Sequence, residues 1–173
     1  MGLVHIYCGD GKGKTSASTG LAVRAAGRGF RVVIARFLKN DDSGEVEILK
    51  SVPGITVLPC EKEFGFVFAM DEAAKREAAE YYKELFQKAV AAVQEVHADL
   101  LVMDEIMAAM FYNMVPEQEV LQFLKTRPEN LEVVMTGRDP SEAICEVADY
   151  ITEMKMIRHP YEKGISARMG IEY

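Results

Sequence analysis

The stretch CGDGKGKTS, at positions 8–16, constrains the fold of this chain more than any other part of its sequence. It follows the apolar run LVHIYC (3–8) and leads into KTSASTGLAVRAAGRG (14–29), whose alanines and leucine favour a helix ending at Gly27 or Gly29. A strand, a glycine-rich loop and a helix in this order are typical of a phosphate-binding P-loop. Cys8 replaces only the first glycine of the pattern G-x-x-x-x-G-K-[ST], and we interpret it as a tolerated small residue rather than a nucleophile.

Phosphate binding needs backbone N–H groups that face the anion, glycines that let the chain approach it, and the positive end of a helix. Gly9, Gly11 and Gly13 supply the turns, Lys14 is expected to contact phosphate oxygens, and the Thr15 hydroxyl is expected to ligate Mg²⁺. The alternative is a glycine-rich turn that binds nothing. The position of the motif between a predicted strand and a predicted helix favours the nucleotide site.

The remainder of the chain alternates apolar segments with helical stretches. Five further segments predict strands: FRVVIARFL (30–38), ITVLP (55–59), ADLLVMDE (98–105), LEVVMTG (131–137) and DYITEM (149–154). The longest helix is predicted to begin near Asp71, as its N-cap, and to run through Val96. This alternation predicts an α/β fold, a mostly parallel sheet with helices on both faces, and ligands beyond the carboxyl ends of the strands. With 173 residues, the chain is expected to form one domain over positions 1–173.

Charged residues at two of the predicted strand ends are candidates for the same site. Asp104 and Glu105 close the apolar run LLVMDE, where a carboxylate holds Mg²⁺ directly or through water; the alternative is a pair of helix-starting charges. Arg138, in MTGRD, is expected to reach a phosphate, and its alternative is a surface arginine at a turn.

Two apolar groups leave the choice between core and ligand open. Four methionines at helical spacing favour a plain core stripe, with an adaptable wall for a large flat ligand as the alternative: Met103, Met107, Met110 and Met114. The segments KNDDSGE (39–45) and EKEFGFVFAM (61–70) are predicted to be loops. In the second, Phe64, Phe66 and Phe68 either anchor the loop or face a hydrophobic substrate.

Composition limits the partners and the compartment. The net charge of −7 and the lack of a lysine or arginine run make a nucleic-acid partner unexpected. The three cysteines include no C-x-x-C pair, which favours a reducing cytoplasm. No apolar run approaches the roughly 20 residues of a membrane span, so we expect a cytoplasmic protein without a membrane partner.

Together, these segments resemble one family over essentially the whole chain. They occur in the family's order: CGDGKGKTSASTGLAVRAAGRG, RFLKN, GFVF, LLVMDEI, VVMTGR, VADYITEM and HPYEKGISARMGIEY. The sequence resembles the P-loop corrinoid adenosyltransferases, which use ATP to adenosylate cob(I)alamin or cobyrinic acid a,c-diamide. GDGKGKT combined with the closing GISARMGIEY is far more specific than the loop alone.

The resemblance implies a RecA-like fold, usually as a homodimer, with MgATP and a corrinoid as substrates. It implies that the backbone from Gly9 through Asp10 to Gly13, with Lys12 and Lys14, holds the triphosphate. The resemblance implies Ser16 as a further nucleotide-binding residue and Arg138 as an additional triphosphate contact. Further roles implied by position are Mg²⁺ binding by Thr15 and Glu105, and corrin binding by Phe66 and Phe68.

The chain departs from some relatives in two places. GFVF has Phe68 where some relatives have tryptophan, which bears on the preferred corrinoid. The sequence also starts almost directly at its first strand, so enclosure of the substrate is expected to differ. No flavin or iron–sulfur motif occurs, so an external electron donor, a flavodoxin or another flavoprotein, is expected to generate Co(I). A small P-loop kinase or ATPase, and a nucleotide-gated module that escorts a corrinoid without chemistry, remain the alternatives.

Overall fold

Six parallel strands form a single sheet in the computed structural model, which describes residues 1–65 and 67–172. In chain order the strands are β1 (Val4–Cys8), β2 (Val32–Arg36), β3 (Ile55–Val57), β4 (Leu100–Asp104), β5 (Glu132–Thr136) and β6 (Tyr150–Glu153). The helices are α1 (Lys14–Ala26), α2 (Glu45–Ser51), α3 (Glu72–Glu95), α4 (Ile106–Phe111), α5 (Glu117–Thr126) and α6 (Glu142–Glu146). The six predicted strands are confirmed, each within its predicted segment.

The strand order, β3-β2-β4-β5-β1-β6, places β5 between β1 and β4. Because all strands are parallel, the residues that follow β1, β2, β4 and β5 meet at one edge of the sheet. That edge therefore brings the glycine loop after β1 and Asp104 at the end of β4 into one site.

Alternating residues of the strands face two separate apolar layers. On β2, Val33 and Ala35 pack with residues of α3, α4, α5 and α6, whereas Val32 and Ile34 pack with residues of α1 and α2. Burial of both faces explains why the strands read as continuous apolar runs rather than as alternating ones. The four methionines are at most 7% exposed, so the core-stripe interpretation is confirmed.

Local signals account for the ends of the main helices. The Asp71 side chain accepts a hydrogen bond from the Ala74 N–H at 2.8 Å and caps α3, as predicted. Helix α1 ends at Ala26 with Gly27 as its cap, which agrees with the predicted end.

The two predicted loops need small corrections. Segment 39–45 is a loop up to position 44, because Glu45 begins α2. Segment 61–70 contains one 3-10 turn, Val67–Ala69, and Phe66 lies outside the described residues. Within residues 1–65 and 67–172, no helix is both long and apolar enough to cross a membrane.

Candidate active site

The glycine loop after β1 is held against the chain that leaves β6. Gly11 N–H donates to the Met154 carbonyl at 2.6 Å. A Cβ atom on either Gly9 or Gly11 would lie 2.5 Å from that same oxygen, far inside van der Waals contact. Gly9 and Gly13 also have positive φ angles, 98° and 116°, which side chains disfavour. The loop therefore requires glycine for its packing as well as for approach to a ligand.

Asp10 and Lys12 connect the same loop to the C-terminal segment. Asp10 Oδ1 accepts from the Met156 N–H at 2.9 Å, and this hydrogen bond lowers the pKa of the Asp10 carboxyl. Lys12 Nζ donates to the Ile171 carbonyl at 3.1 Å and to Glu172 Oε1 at 3.0 Å. Both side chains, which were predicted with the nucleotide-binding residues, thus have partners at positions 156–172.

The start of α1 presents backbone donors and an ammonium group to the loop. The first bond of the helix runs from Ala17 N–H to the Gly13 carbonyl at 2.8 Å, so the N–H groups of Lys14, Thr15 and Ser16 lie outside the helical ladder. Lys14 Nζ donates to the carbonyls of Gly9, at 2.7 Å, and Gly11, at 2.9 Å. Burial lowers the pKa of Lys14, whereas the nearby Glu105 carboxylate raises it. This arrangement suits an anion at the helix N-terminus.

Asp104 is the buried carboxylate of the site, with 2% of its surface exposed. Its Oδ1 accepts from the Thr136 hydroxyl at 2.6 Å, and its two oxygens lie 3.1 and 3.2 Å from Thr15 Oγ1. Thr136 ends β5, the strand between β1 and β4, and its hydroxyl also accepts from the Glu105 N–H at 2.9 Å. Thr136 therefore fixes the carboxylate that faces Thr15, a role that the sequence analysis missed.

Lys39 is a second residue that the sequence analysis missed. Its Nζ donates to Thr15 Oγ1 at 2.8 Å and forms an ion pair with Asp104. The available signal was the lysine in RFLKN, three residues beyond the end of β2 at Arg36, a residue that lies beside Asp104 in the sheet. Arg36 is 2% exposed and shapes this loop through the Asn40 carbonyl, at 2.7 Å, and Asp41.

Glu105 and Arg138 lie around this centre. Glu105 precedes α4 with a positive φ of 62°, and burial raises the pKa of its carboxyl, although the positive charge of Lys39 lowers it. Arg138 follows β5, is exposed, and interacts electrostatically with Lys14, Asp10 and Glu105. The structure thus brings together most of the predicted polar residues, with Thr15 paired to Asp104 rather than to Glu105. Lys12 instead pairs with the C-terminal segment.

Two cavities adjoin each other beside Lys39. The first, which we call the loop cavity, has a volume of about 590 Å³ and is lined by Thr15 and Ser16 of α1. The second, the aromatic cavity, has a volume of about 500 Å³ and is lined by Phe64 and Tyr82. Both cavities are lined by the same three residues, Lys39, Ser43 and Glu172. A ligand in one cavity would therefore lie beside a ligand in the other.

The aromatic residues of segment 61–70 do not share one environment. The Phe64 ring packs against the rings of Tyr81 and Tyr82, with centroids 5.6 and 5.8 Å apart, and so anchors the segment. Phe68, on the 3-10 turn, is 86% exposed. Phe66 lies outside the described residues.

The oxygens of Thr15 and Asp104 fit a magnesium ion. Adjacent ligands of an octahedral Mg²⁺, each at about 2.1 Å, lie about 3 Å apart. The observed separations of 3.1 and 3.2 Å match this spacing. In the described part of the chain, no group of three or more His, Cys, Asp and Glu side chains could hold a metal. Thr15 and Asp104 could therefore supply at most part of a coordination shell.

A parallel α/β sheet with a glycine loop after β1, Lys14 and Thr15 at a helix start, and a buried aspartate two strands away defines a P-loop protein. The expected fold class is confirmed by a solved structure. The KaiC-like protein PH0186 of Pyrococcus horikoshii OT3 aligns with a TM-score of 0.53 over 90% of this chain and 73% of its own, at 14% sequence identity.

The family model for ATP:corrinoid adenosyltransferase BtuR/CobO/CobP matches residues 1–173, and the chain therefore belongs to this family. The corrinoid adenosyltransferase of Escherichia coli (strain K12) is 31% identical over 99% of this chain and 86% of its own length. A corrinoid adenosyltransferase of Sinorhizobium sp is 32% identical over 99% of this chain and 80% of its own. The protein is accordingly a transferase that adenosylates corrinoids with ATP, and the resemblance drawn from the sequence is confirmed.

Proposed function

We propose that this enzyme transfers the 5′-deoxyadenosyl group of MgATP to the Co(I) centre of a corrinoid and releases triphosphate. The observation that supports this reaction best is the pair of adjoining cavities. One begins at the helix start that suits phosphates, the other has an aromatic wall, and Lys39 lines both. ATP in the loop cavity would then present C5′ toward a corrinoid in the aromatic cavity.

The chemistry needs charge stabilisation rather than a base. Co(I) attacks C5′, the cobalt–carbon bond forms, and the C5′–oxygen bond breaks with its electron pair on triphosphate. No proton leaves the nucleophile, so no general base is required. The N–H groups at the start of α1, with Lys14 and Arg138, would stabilise the charge that grows on the leaving oxygens. The family's phosphate loop would thus serve a substitution at carbon instead of a transfer of phosphorus.

Thr15 and Asp104 would hold the magnesium ion directly. Their oxygens have the spacing of neighbouring ligands, and Thr136 fixes the carboxylate from the other side. When bound, Mg²⁺ supplies positive charge beside the triphosphate oxygens. Glu105, which the resemblance implies as the ligand, is adjacent and is proposed to act through a water in the outer shell.

The aromatic residues would bind the corrin ring. Phe64 and Tyr82 line the aromatic cavity, and the exposed Phe68 is proposed to cover the corrin face together with Phe66. An apolar wall there would keep water off the lower face of cobalt, which would ease loss of its lower ligand and reduction of Co(II).

Three further features belong to the proposal. An external flavodoxin or other flavoprotein would supply the electron for Co(I). The enzyme would work as a homodimer of the single domain formed by residues 1–173. Cys8, Cys60 and Cys145 are free thiols, which supports a location in the reducing cytoplasm. Sedimentation velocity would test the dimer directly.

An anaerobic assay tests the reaction. The protein is mixed with MgATP and chemically reduced cob(I)alamin, the Co(I) absorbance is followed, and phosphate products are separated by chromatography. We expect Co(I) to be consumed with equal yields of adenosyl corrinoid and triphosphate. ADP as the product would support a kinase or ATPase instead, and ATP-dependent corrinoid binding without a cobalt–carbon product would support an escort module.

A further inference from the structure

Lys39 occupies the position between the two oxygens that suit magnesium. Its Nζ lies 2.8 Å from Thr15 Oγ1 and forms an ion pair with Asp104 Oδ2. The lysine side chain is 26% exposed, whereas that of Asp104 is 3% exposed. The Lys39 side chain therefore lies where the two cavities meet, and its ammonium group contacts a buried carboxylate.

This position opposes the binding of a metal ion. An Mg²⁺ bound to Thr15 and Asp104 would lie about 2 Å from each oxygen. The Lys39 ammonium already uses the same hydroxyl and the same carboxylate. Two positive groups beside the same acceptors repel each other and compete for the same lone pairs, so binding of the ion is favoured when the lysine moves away.

The charge of Asp104 explains why the ammonium is held there. A buried carboxylate without a positive partner is costly, and one hydrogen bond from a hydroxyl does not replace an ionic partner. Asp104 receives the hydroxyls of Thr136 and Thr15 and the ammonium of Lys39. It is thus fully paired without a metal.

We propose that Lys39 is a positioning residue whose ammonium occupies the metal site and keeps Mg²⁺ out of it until nucleotide binds. We call this metal site, held by Lys39, the reserved site. The ion then enters only with ATP, whose phosphate oxygens complete the shell that the protein leaves incomplete. The displaced ammonium moves to the triphosphate, because Lys39 lines the loop cavity from which those phosphates approach. This inference rests on the proposed function for its nucleotide, while the reserved site itself rests only on the contacts of Lys39.

The test measures metal binding rather than turnover. Mn²⁺ replaces Mg²⁺. Without nucleotide, the free-ion signal is followed by electron paramagnetic resonance as protein is added. With ATP, which itself chelates Mn²⁺, protein-bound Mn²⁺ is counted by equilibrium dialysis against the same MnATP solution. We expect no Mn²⁺ binding by the unmodified protein without nucleotide and stoichiometric binding with ATP. Lys39→Met should bind Mn²⁺ without nucleotide at least tenfold more tightly than the unmodified protein.

Controls separate the site from general charge. Lys62→Met removes an equally long exposed lysine, paired with Glu77 on the surface, and should leave Mn²⁺ binding unchanged. Adding Asp104→Asn to Lys39→Met should abolish the gained binding. If Lys39→Met does not fold, judged by its circular dichroism melt, Lys39→Gln carries the same expectation.

Two results would overturn the inference: nucleotide-free Mn²⁺ binding by the unmodified protein as tight as in the variant, or no gain in either Lys39 variant. The proposed function fails on different data. A protein that binds Mn²⁺ only with ATP but forms no adenosyl corrinoid would retain the reserved site and lose the adenosyl-transfer proposal.

Discussion

Asp104 is 2% exposed and Phe68 is 86% exposed, although both belong to the proposed site. The polar centre of the site, where Thr15 meets Lys39 and Asp104, comes from one helix start and from the ends of two strands. Thr136 holds Asp104, and the chain that leaves β6 contacts the neighbouring glycine loop. The outer part of the aromatic side is a 3-10 turn at the surface. The comparison supports a nucleotide side built on a hydrogen-bonded edge of the sheet, and a proposed corrinoid side whose outermost ring, that of Phe68, is mostly exposed.

Removing the loop lysine should have the largest effect on the nucleotide side. Lys14→Ala is expected to lower kcat for adenosyl transfer about 100- to 1000-fold, because a preorganised positive group at the leaving oxygens is lost. The melting temperature should change little, since Lys14 contacts only the carbonyls of its own loop. Lys75→Ala, which removes an exposed lysine paired with Glu72, is the matched control. Equal losses in both variants would disprove the role of Lys14.

The buried hydroxyl of Thr136 should contribute mainly to stability and to the position of Asp104. Thr136→Val is expected to lower the free energy of unfolding by about 1–3 kcal/mol, because a buried carboxylate and the Glu105 N–H each lose a partner. Urea denaturation measures this change. Thr126→Val, at an exposed helix end, should cost much less.

The opposite pattern is expected on the aromatic side. Phe68→Ala should raise the KM for cob(I)alamin about tenfold through loss of aromatic contact, with the KM for ATP unchanged. Its melting temperature should stay within about a degree or two of the unmodified protein, since so little of Phe68 is buried. Phe30→Ala, at the other end of the sheet and 45% exposed, is the matched control. A loss of ATP binding in the Phe68 variant would erase the distinction between the two sides.

Glu172 should give the smallest effect, because its interactions are at the surface. Glu172→Gln frees Lys12 from a competing carboxylate and is expected to tighten ATP binding by at most about threefold. Hydrogen bonds from Arg168, then from Lys12, lower the pKa of Glu172 to about 2. Its charge, and the ion pair, are therefore present above the ordinary carboxyl pKa and are lost only as the pH falls toward about 2.

The difference between this variant and the unmodified protein should consequently be constant from pH 5 to pH 8 in isothermal titration calorimetry. Glu162→Gln, another exposed glutamate of the C-terminal segment, should show no change. In a carbon-13 NMR titration, a midpoint for the Glu172 carboxyl in the ordinary glutamate range would contradict the lowered pKa.

Local signals were enough to predict much of the fold. The phosphate loop, the six strands and the Asp71 cap each depend on residues close together in sequence, such as a glycine cluster, an apolar run or an N-cap side chain. The expected sheet followed from alternating strands and helices. The extent of the strands was overestimated, as in residues 30–38, because apolar residues continue beyond the paired positions 32–36.

The contacts within the site depended on strand order, which no local signal carries. Lys39 and Asp104 are 65 positions apart and meet only because β2 lies beside β4. Thr136 reaches Asp104 because β5 lies between β1 and β4. Likewise, nothing in the letters DE distinguishes the two acids. The strand ends at Asp104, the backbone turns at Glu105, and only the first carboxylate faces Thr15.

The contact between Gly11 and Met154 has a consequence for the order of events during synthesis. The phosphate motif is translated about 140 residues before the Met154 carbonyl that shapes it, and Asp10 pairs with Met156, which is translated equally late. Until β6 has left the ribosome and paired with β1, the glycine loop lacks its contacts with the residues that follow β6. A nascent chain that already carries the entire GDGKGKT motif should therefore be unable to retain ATP.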